Sequence, residues 1–436
     1  MLKNTKGERQ RLLIHDTRLH ADPTRVVLRP FYLGWQSTNA PGDRAHRLIE
    51  DVAGLSEHEV EAEYHRVIHD FAERHWQTEQ VFEQRYREVE AAHGLGQAGY
   101  SPTRRRLIGA YFCHEYTYAA AALMNPSIIP HPDQSGMNGG ACRFAMSLRA
   151  VGEGHISSIA FREGIVEADG SFQLWPQSHF AIAAELDDTT MTDADESVTV
   201  HRNSDSTLSN CVIFPITEQQ RGGLEDLRLV RFEHPDGRHE WIGTYTAYSG
   251  RAIRSELLRT DDFHAFTLGP IRGSAGRNKG MALFPRMVDG RYAMIGRQDG
   301  KNLFLLRSDR LDTWDDDGAL LMEPRYPWEF IQIGNCGSPI LTKHGWLMLT
   351  HGVGAMRKYA LGCALLDRDD PSKVLARSRE PVLTAEDADR AGYVPNVVYT
   401  CGALLVGKHL LIPYGISDSA VGFASTTVAD LMAMMD

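Results

Sequence analysis

Hydrophobic positions along the chain follow two periods, one before residue 124 and another after residue 140. Between residues 44 and 124 they recur at three- and four-residue steps. Val60, Tyr64, Val67, Ile68 and Phe71 follow Ser56-Glu57-His58-Glu59, a capping-box pattern in which serine and glutamate satisfy each other's backbone donors. Trp76 to Val89 continues in that style. Ser101-Pro102 predicts a further helix start, because proline in the first turn has no donor to lose. That helix carries Leu107, Ile108, Tyr111 and Phe112, runs through an alanine-rich stretch to Met124 and stops at Asn125-Pro126.

From residue 140 the pattern changes. Short alternating or β-branched runs, such as Arg291-Tyr292-Ala293-Met294-Ile295 and Gly345-Trp346-Leu347-Met348-Leu349, are separated by Gly, Asp and Pro, as strands are by turns. A hydrophobic strand leading into a polar Ser/Asp segment recurs loosely near Ile156–Gly170, Ser255–Gly269, Leu303–Trp314, Leu361–Val382 and Gly422–Leu431. Repeated small sheets with variable insertions predict radial closure. The expected fold is mainly β, a five-bladed β-propeller with an N-terminal α-helical extension. Its expected division is residues 1–43 as a segment packing on the propeller, 44–124 as the helical extension and 125–436 as the propeller. A propeller lines one mouth with loops from every blade, so site residues should be scattered along the chain.

Length and composition narrow this picture. A chain of 436 residues exceeds one ordinary core, which predicts two domains or one large closed architecture. The net charge of −11 argues against binding a nucleic-acid backbone as the main task, although a local basic pocket for a small anion stays open. No apolar signal core follows the N-terminus, and no run approaches the roughly 20 apolar residues that span a bilayer. Cys113, Cys142, Cys211, Cys336, Cys363 and Cys401 are scattered without a Cys-x-x-Cys pair. That usage fits reduced thiols and a cytoplasmic location, and it does not fit a structural zinc site.

Some local strings mislead. Gly94-Leu95-Gly96-Gln97-Ala98-Gly99 matches a dinucleotide fingerprint but follows a helical pattern instead of a strand, so it reads as a helix–helix loop. His65 and His69 have the i, i+4 spacing of zinc ligands without the adjacent catalytic glutamate, and read as a helix face. Arg104-Arg105-Arg106 reads as a surface face or a subunit contact.

Four strings carry chemistry. Gly222-Gly223-Leu224-Glu225-Asp226-Leu227-Arg228 places two carboxylates beside a cation, after glycines that let a ligand approach the backbone. Taken alone it also reads as an acidic loop tip capped by an arginine. Arg277-Asn278-Lys279-Gly280-Met281-Ala282-Leu283-Phe284-Pro285 precedes Gly290-Arg291-Tyr292 and Arg297. Gly337-Ser338-Pro339-Ile340 leads through Gly345-Trp346 to His351-Gly352. Pro395-Asn396-Val397-Val398-Tyr399 and Cys401-Gly402 precede Tyr414-Gly415-Ile416-Ser417-Asp418.

In this order, over about residues 120 to 430, the strings resemble glycoside hydrolase family 130, the β-mannoside phosphorylases and their hydrolytic relatives. The family's strings are Gly-x-Glu-Asp-Pro-Arg, Lys-x-x-x-Leu-Phe-Pro, a downstream Arg, a Gly-Trp with His-Gly, and a late Tyr-Gly-x-x-Asp. Its fold, a five-bladed propeller, agrees with the repeat. Two features depart from the pattern: Leu227 replaces the proline, and the segment 44–124 is absent from the shortest members. That segment is expected to cover a rim of the site or to build a homo-oligomer interface. Its Glu115-Tyr116-Thr117-Tyr118 stretch either reaches substrate or packs as helix.

The resemblance implies an inverting β-mannoside phosphorylase. Asp226 would be the general acid, passing its proton to the glycosidic oxygen through a sugar hydroxyl. Inorganic phosphate, the co-substrate, would attack the anomeric carbon from the opposite face and leave α-mannose 1-phosphate. Phosphate replaces the water and base of an inverting hydrolase, so one protein carboxylate and a cationic cradle suffice. Lys279, Arg297, His351 and Asn278 are the implied cradle. Asn125, Arg149, Ser157, Ser158, Glu225, Arg228, Tyr245 and Asp418 are the implied sugar contacts, and Tyr399 and Tyr414 pack on a pyranose or in blade cores. No metal or organic cofactor is implied, and the partners are a β-mannoside and phosphate, with no nucleic acid and no membrane. An inverting β-mannosidase, a silent carbohydrate-binding propeller and a protein scaffold are the competing readings. The first would need a second carboxylate as base.

Overall fold

The structure, a computed structural model, describes residues 12–32, 44–96, 98–186 and 197–436, with Ala388 described by its backbone only. Two compact units divide the chain. One contains the described residues up to Asp22, Ala119–Gln177 and everything from Ala184 on; the other is Pro23–Tyr118 with Ser178–Ala183. Residues 1–11 and 33–43 of the expected N-terminal segment lie outside the described residues.

In the smaller unit four helices, Arg44–Ala53, Glu57–Phe71, Thr78–His93 and Pro102–Tyr111, share one core of Ile49, Val60, Phe82, Tyr86, Leu107 and Phe112. The capping box forms: the Ser56 hydroxyl accepts from the Glu59 amide, and the Glu59 carboxylate accepts from the Ser56 amide at 2.8 Å. Gly94, in the left-handed region at φ 69°, caps Thr78–His93, so the glycine string is a helix end followed by a connection, with Gln97 outside the described residues. Gly109 lets two helices touch: a Cβ there would lie 1.9 Å from the Phe82 carbonyl oxygen. Arg104 is no surface residue. It is 6% exposed, and its guanidinium donates to the carbonyls of Val52 (2.6 Å), Ala53 (2.8 Å) and Leu55 (2.7 Å), satisfying the open end of Arg44–Ala53. Arg105 pairs with Glu83, and Arg106 with Glu79. His65 and His69 are exposed.

The last predicted helix is half strand. It ends at Tyr111, and Cys113–Thr117 pairs antiparallel with Val26–Pro30. Glu115 is held in that unit by Arg74 and His75, each at 2.7 Å. Ala122–Pro130, where the alanine-rich run was expected to finish as helix, is a strand buried along nearly its whole length. Alanine's helical preference is weak, and a strand covered on both faces loses the alternation that would reveal it.

The larger unit is mainly β; among the described residues its main strands fall into five antiparallel groups, the first two being parts of one 12-stranded sheet. The first holds Ala122–Pro130, Cys142–Val151 and Ser157–Val166, and the second Gly223–Glu233, His239–Tyr248, Ile253–Thr260 and Ala265–Pro270. Among the described residues a parallel pair, Gly223 with Ser157, links the two. Ala282–Leu283, Tyr292–Gly296, Leu303–Ser308 and Ala319–Met322 form the third group. The fourth is Gln332–Asn335, Gly345–Val353, Tyr359–Leu366 and Val374–Arg377. The fifth is Val398–Tyr399, His409–Ile416 and Ala420–Thr427, completed by Leu13–His20 from the start of the chain.

Consecutive groups share their cores. Ile159 and Phe161 pack with Leu224 and Leu258; Phe232 and Leu257 with Leu283 and Met294. Ile295 and Leu305 pack with Trp346 and Met348; Leu349 and Leu361 with Leu410 and Ala424. Within the described residues no helix is long and apolar enough to cross a membrane.

Candidate active site

Two strand irregularities bring the acidic residues together. The strand Gly223–Glu233 slips register against His239–Tyr248 between Glu225 and Arg228, and Ala122–Pro130 slips against Cys142–Val151 between Met124 and Ser127. Asp226 (φ 57°) and Asn125 (φ 49°) occupy these bulges in the left-handed region, which Asn and Asp enter more readily than other side chains. The Asn125 amide donates to Asp226 Oδ1 at 2.6 Å. Gly415 makes room for Asn125, because a Cβ there would lie 3.2 Å from its backbone nitrogen and from its Oδ1. The acidic string is thus a bulge inside a strand and not a loop tip. Gly222 and Gly223 make room for protein instead of ligand: a Cβ at either would collide with Tyr248 or with Ser157.

Arg149 ties the acids into one cluster. Its guanidinium donates to Glu225 at 2.6 Å, to Asp226 at 3.4 Å and to the Ser157 hydroxyl at 2.9 Å. Arg228, 3% exposed, donates to the Asp226 carbonyl at 3.0 Å and to the Tyr399 hydroxyl. Burial alone would push the Asp226 carboxyl up, but Arg149, Arg228, the Asn125 hydrogen bond and Lys279 together hold it below the ordinary carboxylate range. Its neighbour Glu225 goes the other way, raised by burial and by the Asp226 charge against the pull of Arg149 and Lys279. Asp418, at φ 49°, faces the same group. Burial and Asp226 raise it to about 6 against Arg149 and Arg357.

On the other side of Asp226 lie cations. A Cβ placed on Gly280 would be 3.4 Å from Arg297 Nε and 3.8 Å from an Arg228 nitrogen, so the two guanidinium groups flank this glycine, next to Lys279. Among the described residues no carboxylate forms a salt bridge with Arg297 or Lys279. Several nearby polar atoms are buried without a partner: Asn125 Oδ1, Arg228 Nε, Asn335 Oδ1 and Ser338 Oγ. Such atoms cost free energy unless something satisfies them.

His351 is 2% exposed, with its ring against Gly334 and stacked on Tyr359. Burial and the positive field of Arg297 and Arg228 push its imidazole well below 6.5, so it is neutral at neutral pH and adds no charge to the cradle. Nδ1 lies 3.2 Å from the Asn335 carbonyl, which only accepts, and 3.6 Å from Cys336 Sγ; the carbonyl favours the tautomer with the proton on Nδ1, which leaves Nε2 as an acceptor.

Two residues expected in the site point elsewhere, and a third meets its neighbour through its backbone. Tyr245 is in the core between the first two groups, its hydroxyl bonded to Glu256 and Gln220. Ser158 turns away from Ser157, as neighbours in a strand do, and reaches the Ala150 carbonyl at 3.4 Å. Asn278 is engaged through its backbone carbonyl by Ser255. Tyr414 is core, while Tyr399 is beside Arg228 and His351. Arg357, facing Asp418, was missed; an arginine on an exposed turn carries no sequence signal of that role.

A family model of glycoside hydrolase family 130, described as beta-1,4-mannooligosaccharide phosphorylase, matches residues 154–436. A 1,2-beta-oligomannan phosphorylase of Thermoanaerobacter sp. is 33% identical over 225 residues, 49% of this chain and 72% of that protein. A beta-1,2-mannobiose phosphorylase of the same organism is 34% identical over 215 residues, 47% of this chain and 67% of its own. Among solved structures, a glycosyl hydrolase from Bacteroides ovatus aligns with a TM-score of 0.51 at 20% identity, over 72% of this chain and 86% of that one, a likeness of fold. The ordered acid and cation strings lie within the matched span, apart from Asn125 and Arg149, and the chain belongs to glycoside hydrolase family 130.

Proposed function

We propose that this chain is an inverting β-mannoside phosphorylase, transferring a mannosyl unit from a β-mannoside to inorganic phosphate and releasing α-mannose 1-phosphate. The observation that carries this reading is the juxtaposition of a partly buried carboxylate, Asp226, with two cations, Arg297 and Lys279, that form no salt bridge with a carboxylate among the described residues. An inverting hydrolase needs water and a carboxylate base there. A dianionic nucleophile needs uncompensated positive charge. The phosphorylase names of the relatives agree.

In this mechanism Asp226 is the general acid, although without ligand its carboxyl is held low and ionised. Phosphate resolves the conflict. A dianion beside Arg228 and Lys279 cancels the charges that hold Asp226 down, so its proton affinity rises once the nucleophile is bound. Arg149, Asn125, Glu225, Ser157 and Asp418 surround the acid with groups that can hold sugar hydroxyls and the one relaying the proton. His351, with Nε2 accepting, suits the P–OH of hydrogen phosphate. The chemistry requires mannoside, phosphate and these side chains.

The finer architecture supporting the site we read as a five-bladed β-propeller. Five antiparallel groups with shared cores between neighbours support it, as does the pairing of Leu13–His20 with Ala420–Thr427, which joins the first strand to the last group. The test of function is product analysis on β-1,2-, β-1,3- and β-1,4-mannobiose with and without phosphate. Phosphate-dependent α-mannose 1-phosphate is expected. Free mannose released equally well without phosphate would overturn phosphorolysis.

A further inference from the structure

Two antiparallel strands that reach the acid cluster at one end reach a second polar cluster at the other. Arg143 and Arg149 lie six residues apart on Cys142–Val151, as do Ser157 and Glu163 on Ser157–Val166. At about 3.3 Å per residue the two ends are roughly 20 Å apart. The far end opens into a cavity of about 630 Å³ whose walls include His131, Arg143, Glu163, Trp175, Arg202 and Asp262. Its volume is within the range of small-molecule sites, about 300–1,000 Å³.

We infer that this cavity is a second, non-catalytic site that binds a neutral oligosaccharide. Three observations select that ligand. First, the wall is rigid and aromatic: the Arg143 guanidinium stacks over the Trp175 indole at 4.4 Å and fixes it, and a flat ring suits the C–H face of a pyranose. Second, the polar groups are pre-positioned. Arg143 bridges Glu163 and Asp133, each at 2.8 Å, and the other Glu163 oxygen accepts from the Ser209 amide and hydroxyl at 3.1 Å. Planar charged groups held this way meet vicinal hydroxyls without reorganising. Third, positive charge is not in surplus: the two cations Arg143 and Arg202 stand against the three carboxylates of Asp133, Glu163 and Asp262. No surplus of positive charge invites phosphate, and a fully engaged Glu163 offers no free ligand to a cation. The contrast with the uncompensated Arg297 and Lys279 is direct.

Choosing manno-oligosaccharides as the first probe rests on the proposed function; the site itself does not. The test is fluorine NMR of the full chain labelled with 5-fluorotryptophan, the Trp175 resonance being assigned by its loss in Trp175→Phe. β-1,2- and β-1,4-manno-oligosaccharides, cello-oligosaccharides and inorganic phosphate are titrated separately. A sugar of the panel is expected to shift the Trp175 resonance in the wild type and equally in Asp226→Asn. Ser204→Phe, which fills the exposed mouth of the cavity, should abolish that shift while the other tryptophan resonances keep their dispersion. A Trp175 resonance unmoved by every sugar while phosphorolysis proceeds overturns the second site alone. A shift with phosphate but no sugar also overturns it. A sugar-induced shift without any turnover keeps the second site and sinks the phosphorylase reading.

Discussion

The same strands carry an arginine–carboxylate cluster at each end, and the two differ in kind. At one end Arg149 meets Glu225 and Asp226; at the other Arg143 meets Glu163 and Asp133. The first has Asp226 and Asp418 on left-handed backbone, Glu225 and Asp418 pushed up and Asp226 held down, and nearby the cations Arg297 and Lys279 with no carboxylate salt bridge among the described residues. In the second, none of the charged residues has a positive φ, and both Glu163 oxygens are engaged. Charge and strain left uncompensated in a fold mark a place where a charged ligand or a reacting group completes the structure; charged groups already paired with one another form the pre-set wall of a cavity for a neutral ligand. This contrast, more than the presence of acids and arginines, assigns chemistry to one end.

The sharpest way to break the comparison is to neutralise one acid at each end. Asp226→Asn should lower phosphate-dependent turnover by about 10³-fold, the typical worth of a positioned general acid, with the circular dichroism spectrum unchanged. Turnover near that of the wild type would remove Asp226 from the chemistry. Glu163→Gln should instead show in stability. It strips the buried partner of Arg143, and breaking such a pair costs about 3 kcal/mol. Urea denaturation would report it, and an unchanged midpoint would mean the far cluster is not the rigid wall described.

Removing cradle cations comes next. Arg297→Ala should raise KM for phosphate about 30-fold, roughly 2 kcal/mol for a charge-assisted contact, and raise KM for the mannoside far less. Lys279 is exposed, so Lys279→Ala should produce a smaller change in the same direction, about threefold. Equal effects on both substrates would place these cations outside the phosphate site.

Much of this was legible in the chain, for a physical reason. Glu225, Asp226 and Arg228 lie on one strand, and Lys279 and Arg297 on one short stretch, so local strings carry them. Asn125, Arg149 and Asp418 come from other groups and were reached through the family resemblance alone. Register was not legible. Ser157 and Ser158 are equivalent as letters, but only one faces Arg149, and Tyr245 points into the core because of the parity of its strand. The glycines were misread because close approach serves a neighbouring strand as well as a ligand. The far cavity was invisible, since His131, Arg143, Glu163, Trp175 and Arg202 share no string.

Asp418 gives the finest test of whether the active end sacrifices stability for function. Its folded carboxyl titrates at about 6, raised first by burial and then by Asp226, whereas an unfolded aspartate titrates at about 3.9. The folded state therefore holds the proton more tightly, and the contribution of Asp418 to stability falls as pH rises from about 4 through about 6. Two pKa units correspond to about 3 kcal/mol, which partial exposure reduces to about 1–2 kcal/mol. Asn, neutral throughout, should make the protein more stable than the wild type at pH 7.5 by that amount and equal to it near pH 4. Asp226 contributes with the opposite sign, gaining stability above its unfolded pKa, so only the difference between Asp418→Asn and wild type isolates the effect. Denaturation midpoints at the two pH values decide it. If the difference does not grow with pH, Asp418 is an ordinary solvated carboxylate and the acidic end carries less uncompensated charge than its geometry implies.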